Sequence, residues 1–235
     1  HDSAAFQQLL GDGQRWGMNL QYAVQPQPEG IAQALVIGEH FLDGAPVCLI
    51  LGDNIFHGHG LPQLLRLADS RTEGATVFGY PVRDPQRYGV LSLDSDGHVL
   101  DIEEKPAVPR SNYAVTGLYF YDAKCVEIAR STRPSGRGEL EITDVNTAYL
   151  RRGLLTAELM SRGYTWLDTG THESLLDAAN FIHVMQTRQG LQISCPEEIA
   201  WRSGWISDEE LLQQGRSLAK SGYGDYLLSL PKMGR

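Results

Sequence analysis

Cysteine is scarce in this chain, and its spacing excludes two protein classes. The three cysteines, Cys48, Cys125 and Cys195, are odd in number and form no Cys-x-x-Cys pair. This excludes a disulfide scaffold and a structural zinc module. We expect three buried or half-buried thiols in a reducing compartment, and therefore predict a cytoplasmic protein. No apolar run approaches the about 18 residues of a membrane-spanning helix, and no signal-peptide pattern is present.

Positive charge is also scarce. The 235 residues carry 20 Lys and Arg against 29 Asp and Glu, which gives a net charge of -9. A nucleic-acid partner is excluded because such proteins need a basic patch or stripe. No Ser/His/Asp or Cys/His set for nucleophilic catalysis stands out. A phosphorylated ligand would need locally concentrated cations, so individual Lys and Arg positions matter.

The hydrophobic patterns alternate between helix and strand and predict an α/β fold. Strands that alternate with helices at this pitch are typical of βαβ units. We therefore predict a Rossmann-like sheet, mixed and mostly parallel, flanked by helices. Helices are expected over 4–10, 31–41 and 61–68, and strands over 18–24, 47–51 and 75–80.

The pattern changes after residue 80. Residues 89–93 and 99–103 flank Asp94-Ser95-Asp96-Gly97, a sequence typical of a hairpin turn. Residues 113–121 then form a long strand, so we expect an antiparallel section here. A helix over 172–189, capped by Thr171, is followed by short helices to the end of the chain.

Two aspartates at predicted strand ends have the chemistry of metal ligands. Asp53 follows the apolar run 47–51, and Asp168 lies within Tyr164-Thr165-Trp166-Leu167-Asp168-Thr169-Gly170-Thr171. Ligands of open α/β sheets bind outside the carboxyl ends of the strands, where two distant aspartates can meet. Mg²⁺ is held by one or two carboxylates plus substrate phosphates. We predict a Mg²⁺-dependent enzyme acting on a phosphorylated substrate, although a helix cap or an Asx-turn explains each aspartate taken alone.

Two further segments hold cations suited to a phosphate group. Lys105 precedes Pro106, which disfavours a helix and lets the ammonium project from a strand end. Arg137 and Glu139 lie at a predicted helix start, where backbone N–H groups and an arginine suit a phosphate and Glu139 suits sugar hydroxyls. A solvated charged turn at Lys105, and charge balance at the helix start, remain alternatives.

Glycines beside predicted strands mark places where a ligand can approach the backbone. Gly30 and the amide of Gln25 suit the edge of a pyrimidine base, although the pattern alone favours an ordinary turn. Tyr88-Gly89-Val90 and Val115-Thr116-Gly117 indicate either a close approach or a bulge. His57-Gly58-His59 is not predicted to bind metal, because it has no Cys or carboxylate at ligand spacing.

Seven segments occur in a specific order along the chain. They are Gln25-Pro26 with Glu29-Gly30-Ile31-Ala32-Gln33-Ala34, Leu51-Gly52-Asp53-Asn54-Ile55-Phe56, Arg87-Tyr88-Gly89-Val90, Glu103-Glu104-Lys105-Pro106, Asn112-Tyr113-Ala114-Val115-Thr116-Gly117-Leu118-Tyr119-Phe120-Tyr121, Gly138-Glu139-Leu140-Glu141-Ile142-Thr143-Asp144 and Trp166-Leu167-Asp168-Thr169-Gly170-Thr171. In this order they closely resemble the glucose-1-phosphate thymidylyltransferases of the sugar nucleotidyltransferase superfamily. The resemblance runs from Phe6 to the C-terminus.

The resemblance implies a reaction and a set of site residues. The phosphate of α-D-glucose 1-phosphate would attack the α-phosphorus of dTTP and give dTDP-glucose and pyrophosphate. This is the first step toward dTDP-L-rhamnose and related cell-surface sugars, such as those of lipopolysaccharide. Catalysis would depend on Lys105 and on Asp53 and Asp168 as Mg²⁺ ligands, with the nucleotide held by Gln25, Gly30 and Asp53. The residues implied to bind the sugar phosphate are Tyr88, Gly89, Glu104, Lys105, Val115, Tyr119, Arg137 and Glu139.

The resemblance also implies an assembly and a division of the chain. The family is typically a homotetramer, and its nucleotidyltransferase domain would cover residues 1–191, followed by a helical part over 192–235. Gly58, Arg162 and Glu198 are implied candidates for a regulatory nucleotide-sugar site. The family opens with a strand, a Gly-rich phosphate loop carrying an arginine, and a lysine, which this sequence does not show. We therefore expect this chain to be a poor or inactive catalyst with an unpaired sheet edge.

Other interpretations stay open. A uridylyltransferase would use UTP instead of dTTP, whereas the ATP-dependent branch is disfavoured because no β-helix pattern follows. A non-catalytic homologue would bind a nucleotide sugar and transfer nothing, which the absent loop favours and the retained Asp53, Lys105 and Asp168 oppose. A protein-interaction module has little support, since no exposed apolar stripe stands out.

Overall fold

The structure is a computed structural model and describes residues 3–234. Its helices are α1 (Ser3–Leu10), α2 (Gln33–Ile37), α3 (Glu39–Leu42), α4 (Leu61–Asp69), α5 (Cys125–Ser131), α6 (Ile142–Arg151), α7 (His172–Gln189), α8 (Pro196–Arg202), α9 (Asp208–Ser217) and α10 (Gly222–Met233). Its strands are β1 (Val47–Ile50), β2 (Asn54–Gly58), β3 (Ala75–Pro81), β4 (Gly89–Leu93), β5 (Val99–Glu104), β6 (Tyr113–Tyr121), β7 (Leu155–Leu159) and β8 (Tyr164–Asp168). Short 3₁₀ turns cover Gln14–Trp16 and Pro85–Arg87.

The structure differs from the local predictions in three respects. The strand predicted over 18–24 is wrong, because the amides of Met18 and Leu20 donate to the preceding loop and the segment pairs with no strand of the described chain. The helix predicted over 31–41 is divided at Gly38 into α2 and α3. The strands β2 and β7 were not predicted.

The main sheet has six strands in the order β5-β4-β6-β3-β7, with β1 also paired to β6. The predicted α/β class with a mixed sheet is confirmed, and so is the antiparallel β4–β5 hairpin. The fraction of strand pairs that are parallel is smaller than the predicted βαβ units indicated. Among the described strand pairs only β3 and β7 are parallel, because the nine-residue β6 runs antiparallel to its three neighbours.

One edge of β6 is covered by two strands that leave a gap between them. Residues 119–121 of β6 pair with both β1 and β3, and residues 113–114 pair with both β3 and β4. Because β3 occupies one edge, β1 and β4 share the other edge end to end. The pairing of β1 stops at Leu118 and that of β4 at Ala114. The carboxyl end of β1 therefore faces the amino end of β4 across residues 115–117, the kind of crevice in which α/β sheets bind ligands.

A second sheet borders this gap. It consists of β2 and β8, which are antiparallel, with Asn54 opposite Asp168 and Gly58 opposite Tyr164. The loop that follows β1 leads directly into β2, so the gap and the start of the second sheet share one short segment.

The residues group into two compact units. Gln25–Leu175 contains both sheets and a core that includes Val77, Leu91, Tyr119, Ile128 and Val145. The second unit joins His1–Val24 to Leu176–Arg235 and has its own core, with Trp16, Trp201, Leu211, Leu227 and Leu230. Every element after residue 192 is helical, as predicted. The predicted domain boundary between residues 191 and 192 stays a prediction.

The cysteines follow the expectation in part. Cys125 and Cys195 are buried, whereas Cys48 is exposed. The reason is the alternation of side chains along β1, which leaves Cys48 and Ile50 on the open face, so β1 is not the fully buried strand that was predicted. Within residues 3–234, no helix combines the length and the apolar character that crossing a membrane requires.

Candidate active site

Asp53 and Asp168 lie side by side at the gap in the main sheet. The pairing of β2 with β8 places Asn54 opposite Asp168. Thr169 then donates its amide and its hydroxyl to the carbonyl oxygen of Asp53, at 2.8 and 2.9 Å. These two bonds tie the loop after β1 to the loop after β8, so the structure brings the two predicted aspartates together.

The donor atoms of this pair fit a hard divalent cation. The Gly170 amide donates to Asp168 Oδ1 at 2.9 Å. A methyl group on Gly170 would lie 3.0 Å from Asp168 Oδ1 and 3.8 Å from Asp53 Oδ2. Both carboxylates therefore converge on the space beside this glycine, and carboxylate oxygens are the ligands that Mg²⁺ prefers.

Asn54 forms the floor of the gap. Its Oδ1 accepts from the Gly117 amide at 3.0 Å and from the Trp166 indole N–H at 2.6 Å. The Asn54 side chain thus accepts the hydrogen bond from β6 that a backbone carbonyl would accept if β1 continued. A methyl group on Gly117 would lie 2.7 Å from Asn54 Oδ1, so the close approach predicted at this glycine is made by Asn54.

Arg87 and Tyr88 approach Asp168 from the segment before β4. Arg87 Nη2 lies 3.5 Å from Asp168 Oδ2, and the Tyr88 hydroxyl lies 3.4 Å from the same oxygen. Burial raises the pKa of Tyr88 to about 12, so the hydroxyl keeps its proton at neutral pH. The Tyr88 ring packs edge-on against Trp166, with 5.1 Å between the ring centroids.

Gly89, Glu104, Val115 and Thr143 form one wall of the gap. Thr143 Oγ1 donates to Glu104 Oε2 at 2.5 Å. A methyl group on Gly89 would lie 3.2 Å from Thr143 Oγ1, 3.4 Å from Glu104 Oε2 and 3.8 Å from Val115 Cβ. The missing side chain at Gly89 therefore leaves a carboxylate and a hydroxyl accessible to a ligand.

Lys105 has an unusual backbone conformation. Its φ is +44°, in the left-handed region that residues other than glycine seldom adopt. Its amide donates to the Tyr88 carbonyl at 3.0 Å, and Nζ lies 3.9 Å from Glu104 Oε1. Backbone strain of this kind concentrates at functional sites, and no local sequence pattern predicts it here.

Arg137 is held by carboxylates. Its Nε and Nη2 bond Glu141 Oε1 at 3.2 and 2.9 Å, and Nη2 lies 3.4 Å from Glu104 Oε1 and 3.7 Å from Glu139 Oε2. The hydrogen bond to Glu141 raises the pKa of Arg137. Glu104 thus lies between the two predicted cations, Lys105 and Arg137.

Gln25 and Gly30 are also brought together. Gln25 Nε2 donates to the Gly30 carbonyl at 3.0 Å and to Gln33 Oε1 at 2.6 Å. Gly30 has φ +102° and packs directly against the backbone of Leu140, so no other residue fits this turn.

Most of these side chains line one open cleft of about 220 Å³. The predicted residues that line it are Asp53, Tyr88, Gly89, Glu104, Lys105, Val115, Tyr119 and Asp168. Gln25, Gly30, Arg137 and Glu139 stand outside its lining, although Ile31, next to Gly30, belongs to it.

The lining also contains residues that were not predicted as site residues, notably Asn54, Arg87, Thr143 and Trp166. Each is a sequence neighbour of a predicted residue or motif, which was the available signal. Their side-chain directions depend on the pairing of β2 with β8 and on the gap beside β6, which the sequence does not reveal.

Three further predicted residues are not among those that line the cleft. Gly58 pairs with Tyr164 at the opposite end of the β2–β8 ladder from Asp168, and the exposed Arg162 is in the turn just before β8. Glu198 belongs to the other unit, where it accepts from Arg202 Nε at 2.7 Å and from the Tyr226 hydroxyl at 2.5 Å. Their regulatory role stays a prediction.

A second acidic group lies at the far end of the β4–β5 hairpin. The ligand atoms of Asp94, Asp96 and His98 lie within 4.8 Å of one another. Asp94 Oδ1 accepts from the amides of Asp96 and His98 at 2.9 and 2.8 Å. These bonds close the turn and explain the cluster without a metal ion.

Comparison with known proteins decides the family of the chain. The sequence profile of the family described as "Nucleotidyl transferase" matches residues 1–184. The chain belongs to the nucleotidyl transferase family. Members of this family generally use a divalent metal ion, in agreement with the paired aspartates.

Individual nucleotidyl transferases support a narrower resemblance. A glucose-1-phosphate thymidylyltransferase of Xanthomonas campestris pv. campestris is 61% identical over 234 residues, which are 100% of this chain and 79% of that protein. The enzyme of the same name from Mycobacterium tuberculosis is 54% identical over 230 residues, 98% of this chain and 80% of that protein. The resemblance drawn from the ordered motifs is confirmed.

Solved structures of nucleotidyl transferases agree with the fold. A Bacillus anthracis protein, a candidate glucose-1-phosphate thymidylyltransferase solved in complex with a sucrose, gives a TM-score of 0.68 at 43% identity over 76% of this chain and 71% of that one. A UDP-glucose pyrophosphorylase complexed with UDP-glucose gives 0.63 at 25% identity over 70% of this chain and 66% of that one.

Proposed function

We propose that this chain transfers a thymidylyl group from dTTP to α-D-glucose 1-phosphate. An oxygen of the sugar phosphate forms a bond to the α-phosphorus of dTTP, and the bond from that phosphorus to the β-phosphate oxygen breaks. The products are dTDP-glucose and pyrophosphate. The proposal places the chain at the first step toward dTDP-L-rhamnose and related cell-surface sugars, in the cytoplasm.

The observation that carries this proposal is the convergence of Asp53 and Asp168 on Gly170, beside a cleft that Lys105 also lines. A phosphate monoester is already a charged nucleophile near neutral pH, so the protein needs to position two anions and screen their charge. Two carboxylates for a cation and a lysine for a phosphate supply these functions. The relatives at 61% and 54% identity bear the name of this activity.

We assign the metal-binding role to Asp53 and Asp168 and take Mg²⁺ as the cofactor. The ion, when bound, neutralises charge on the phosphates and orients the triphosphate. The protein contributes the orientation of its ligands: the Gly170 amide holds Asp168 Oδ1, and Asn54 Nδ2 holds Asp53 Oδ1 at 2.7 Å, which leaves Asp53 Oδ2 directed toward Gly170.

The sugar phosphate is assigned to the wall that contains Gly89, Glu104 and Val115. Lys105 and Arg137 flank Glu104, and both cations contact its Oε1. A bound phosphate would compete with Glu104 for these cations, and Glu104 would then accept hydrogen bonds from sugar hydroxyls. Tyr88, Gly89, Val115 and Tyr119 enclose the sugar, with Glu139 as a further contact.

The base is assigned to Gln25 and Gly30. The Gln25 amide already bonds the Gly30 carbonyl, so both groups lie within reach of one planar ligand. A uridylyltransferase would use the same edge, because thymine and uracil share their hydrogen-bonding groups; the base preference therefore has to be measured.

The proposal extends to assembly and control. We take the working form as a homotetramer and place a regulatory nucleotide-sugar site at Gly58, Arg162 and Glu198. Both follow from the resemblance to the family.

The test is pyrophosphate release with Mg²⁺ and α-D-glucose 1-phosphate, offering dTTP, UTP, ATP and GTP separately. Binding of dTDP-glucose and UDP-glucose is measured by calorimetry on the same protein. Asp53→Asn and Asp168→Asn should each lower the affinity for Mg²⁺ and the release rate roughly 100-fold. Asp96→Asn, which removes an exposed carboxylate from the hairpin turn, is the matched control and should change neither.

The outcomes separate the candidate functions. Release that prefers dTTP and depends on both aspartates supports the proposal, and preference for UTP makes the chain a uridylyltransferase. Binding of dTDP-glucose without release of pyrophosphate makes it a nucleotide-sugar-binding homologue.

A further inference from the structure

Arg87 lines the cleft but has no role in the proposed reaction. It ends the 3₁₀ turn Pro85–Arg87, directly before the amino end of β4. Its Nη1 bonds Asp84 Oδ2 at 3.0 Å, and its Nη2 lies 3.5 Å from Asp168 Oδ2. One guanidinium therefore bridges a carboxylate on its own turn and a carboxylate proposed to bind metal.

The two contacts of Arg87 differ in strength. The bond to Asp84 is short and joins residues three apart, so it anchors the side chain. The contact with Asp168 is at the limit of a hydrogen bond, and 45% of the Arg87 side chain is exposed. Such a contact adds little to stability, but it places a positive charge beside a carboxylate that is only 20% exposed.

Asp168 is prepared for a cation by these neighbours. Its Oδ1 is held by the Gly170 amide at 2.9 Å, while Oδ2 faces Arg87 and the Tyr88 hydroxyl at 3.5 and 3.4 Å. Neither contact with Oδ2 is short enough to satisfy it fully. A divalent cation at Asp168 would repel the guanidinium at this distance. It would also neutralise the carboxylate charge that attracts Arg87.

The displaced guanidinium has a second use in the cleft. Arg87 lines the same space as Lys105 and Asp53, and a planar guanidinium binds phosphate oxygens with two N–H groups. Its anchor on Asp84 limits its travel to the neighbourhood of the metal ligands.

We propose that Arg87 is the counter-ion of Asp168 when Asp168 holds no metal ion, and that the Arg87 guanidinium would turn to the phosphates of a bound nucleotide once Asp53 and Asp168 hold the ion. The proposal rests on the function proposed above, since it takes Asp168 as a metal ligand. Arg87 should therefore have opposite effects on two ligands. It weakens metal binding, because it competes with the metal for Asp168, and it strengthens the binding of the phosphates.

Two binding measurements on the whole chain test the proposal. The first is titration with Mn²⁺ in the absence of nucleotide, followed by electron paramagnetic resonance. Arg87→Gln should bind Mn²⁺ three- to tenfold more tightly than the unmodified chain. The second is calorimetric titration with pyrophosphate at fixed Mg²⁺, in which Arg87→Gln should bind three- to tenfold more weakly.

Arg83→Gln is the matched control. It removes the same charge four residues earlier on the same exposed segment, and Arg83 is outside the cleft lining. It should leave both affinities unchanged, which separates the local effect of Arg87 from the change in net charge. Structural damage by Arg87→Gln would weaken the binding of both Mn²⁺ and pyrophosphate. Tighter Mn²⁺ binding together with weaker pyrophosphate binding therefore identifies the counter-ion role.

The result that overturns the proposal is an Mn²⁺ affinity of Arg87→Gln equal to or below that of the unmodified chain. An equal gain in Arg83→Gln overturns it as well. Failure of the proposed function gives a different result: Asp168→Asn and Asp53→Asn would then leave Mn²⁺ binding unchanged in a chain that still carries Arg87.

Discussion

Gly170 shows how a missing side chain can define a binding site. Its amide orients Asp168, and the space that a β-carbon would fill is the space on which Asp53 Oδ2 and Asp168 Oδ1 converge. Gly89 plays the same part at another wall of the cleft, where it exposes Glu104 and Thr143. These positions are read from the sequence only as glycines near strands. Their function depends on which atoms surround the empty volume.

Gly170→Ala should weaken metal binding. The new methyl group would lie 3.0 Å from Asp168 Oδ1, closer than an ordinary van der Waals contact, and would enter the space between the two carboxylates. Since disturbing the groups that orient metal ligands typically costs 10- to 100-fold in affinity, we expect a loss of about tenfold for Mn²⁺. Calorimetry or electron paramagnetic resonance measures it.

Gly52→Ala is the control for this variant. Gly52 is next to Asp53, and a methyl group there would meet no atom within 4 Å. Its Mn²⁺ affinity should match that of the unmodified chain. Equal affinities for Gly170→Ala and the unmodified chain would contradict the assignment of the metal site.

The gap beside β6 is a property of three strands together. β1 and β4 share one edge of β6 and stop short of each other, and the Asn54 side chain bonds the Gly117 amide in the space between them. Asn54 Oδ1 also accepts a hydrogen bond from the indole N–H of Trp166 in β8. The main sheet and the β2–β8 pair are thus joined at one amide side chain.

Gly117→Ala should destabilise this junction. Its methyl group would lie 2.7 Å from Asn54 Oδ1 and 2.8 Å from Leu51 Cγ, so the Asn54 side chain must move and lose bonds. Overpacking of this kind costs about 1–3 kcal/mol of unfolding free energy. The midpoint of urea unfolding measures the loss, and a value equal to that of the unmodified chain would show that Asn54 moves without cost.

Thr116→Val is a matched variant at the next position. The Thr116 hydroxyl is buried and finds no hydrogen-bond partner among residues 3–234. Replacing it with a methyl group of similar shape removes an unsatisfied polar atom. The variant should be at least as stable as the unmodified chain, in contrast to Gly117→Ala.

Asp122 connects distant parts of the Gln25–Leu175 unit. Its Oδ1 accepts from the Tyr149 hydroxyl at 2.6 Å and from the Lys124 amide at 2.9 Å, and its Oδ2 accepts from the Gly74 amide at 2.8 Å. It thereby joins the segment before β3 to α6 and to the start of α5. Burial alone would raise the pKa of Asp122, but these hydrogen bonds outweigh it and lower the pKa.

The stability that Asp122 contributes should be lost in acid. Its folded pKa lies below the unfolded value of about 3.9, so the contribution is present above that pH and disappears as the pH falls through the folded pKa. Asp122→Asn should lower the free energy of unfolding by about 2 kcal/mol at pH 7. Its deficit should shrink below about pH 4, as the carboxylate of the unmodified chain takes up its proton.

Urea unfolding at pH 7 and at acid pH measures this dependence. Asp69→Asn removes an exposed carboxylate and serves as the control at both pH values. A deficit of Asp122→Asn that is the same at both pH values would contradict the role of the ionised carboxylate.

Local sequence patterns were sufficient to predict several features of the structure. The helix over 172–189 and the β4–β5 hairpin follow from periodicity and turn residues, and both are confirmed. The pairing of Asp53 with Asp168 was expected from their places after strands. The predicted roles of these aspartates, and of Lys105 and Arg137, remain to be tested by the experiments above.

Other features needed information that no local pattern contains. The strand predicted over 18–24 fails because alternation cannot supply a hydrogen-bonding partner. The mostly antiparallel pairing arises because β6 lies between β1 and β4 on one edge and β3 on the other. The left-handed conformation of Lys105 accompanies a hydrogen bond from its amide to the Tyr88 carbonyl, a contact between separate segments.

The order of the motifs was enough to predict the family, and the comparisons confirm it. The types and order of residues are properties of the sequence that folding does not change. Which side chains meet was decided only by the fold. Arg87 beside Asp168 and Asn54 beneath Gly117 join residues 81 and 63 positions apart. Such contacts are set by strand pairing and by the space left between strands, and these are properties of the packed chain rather than of any segment.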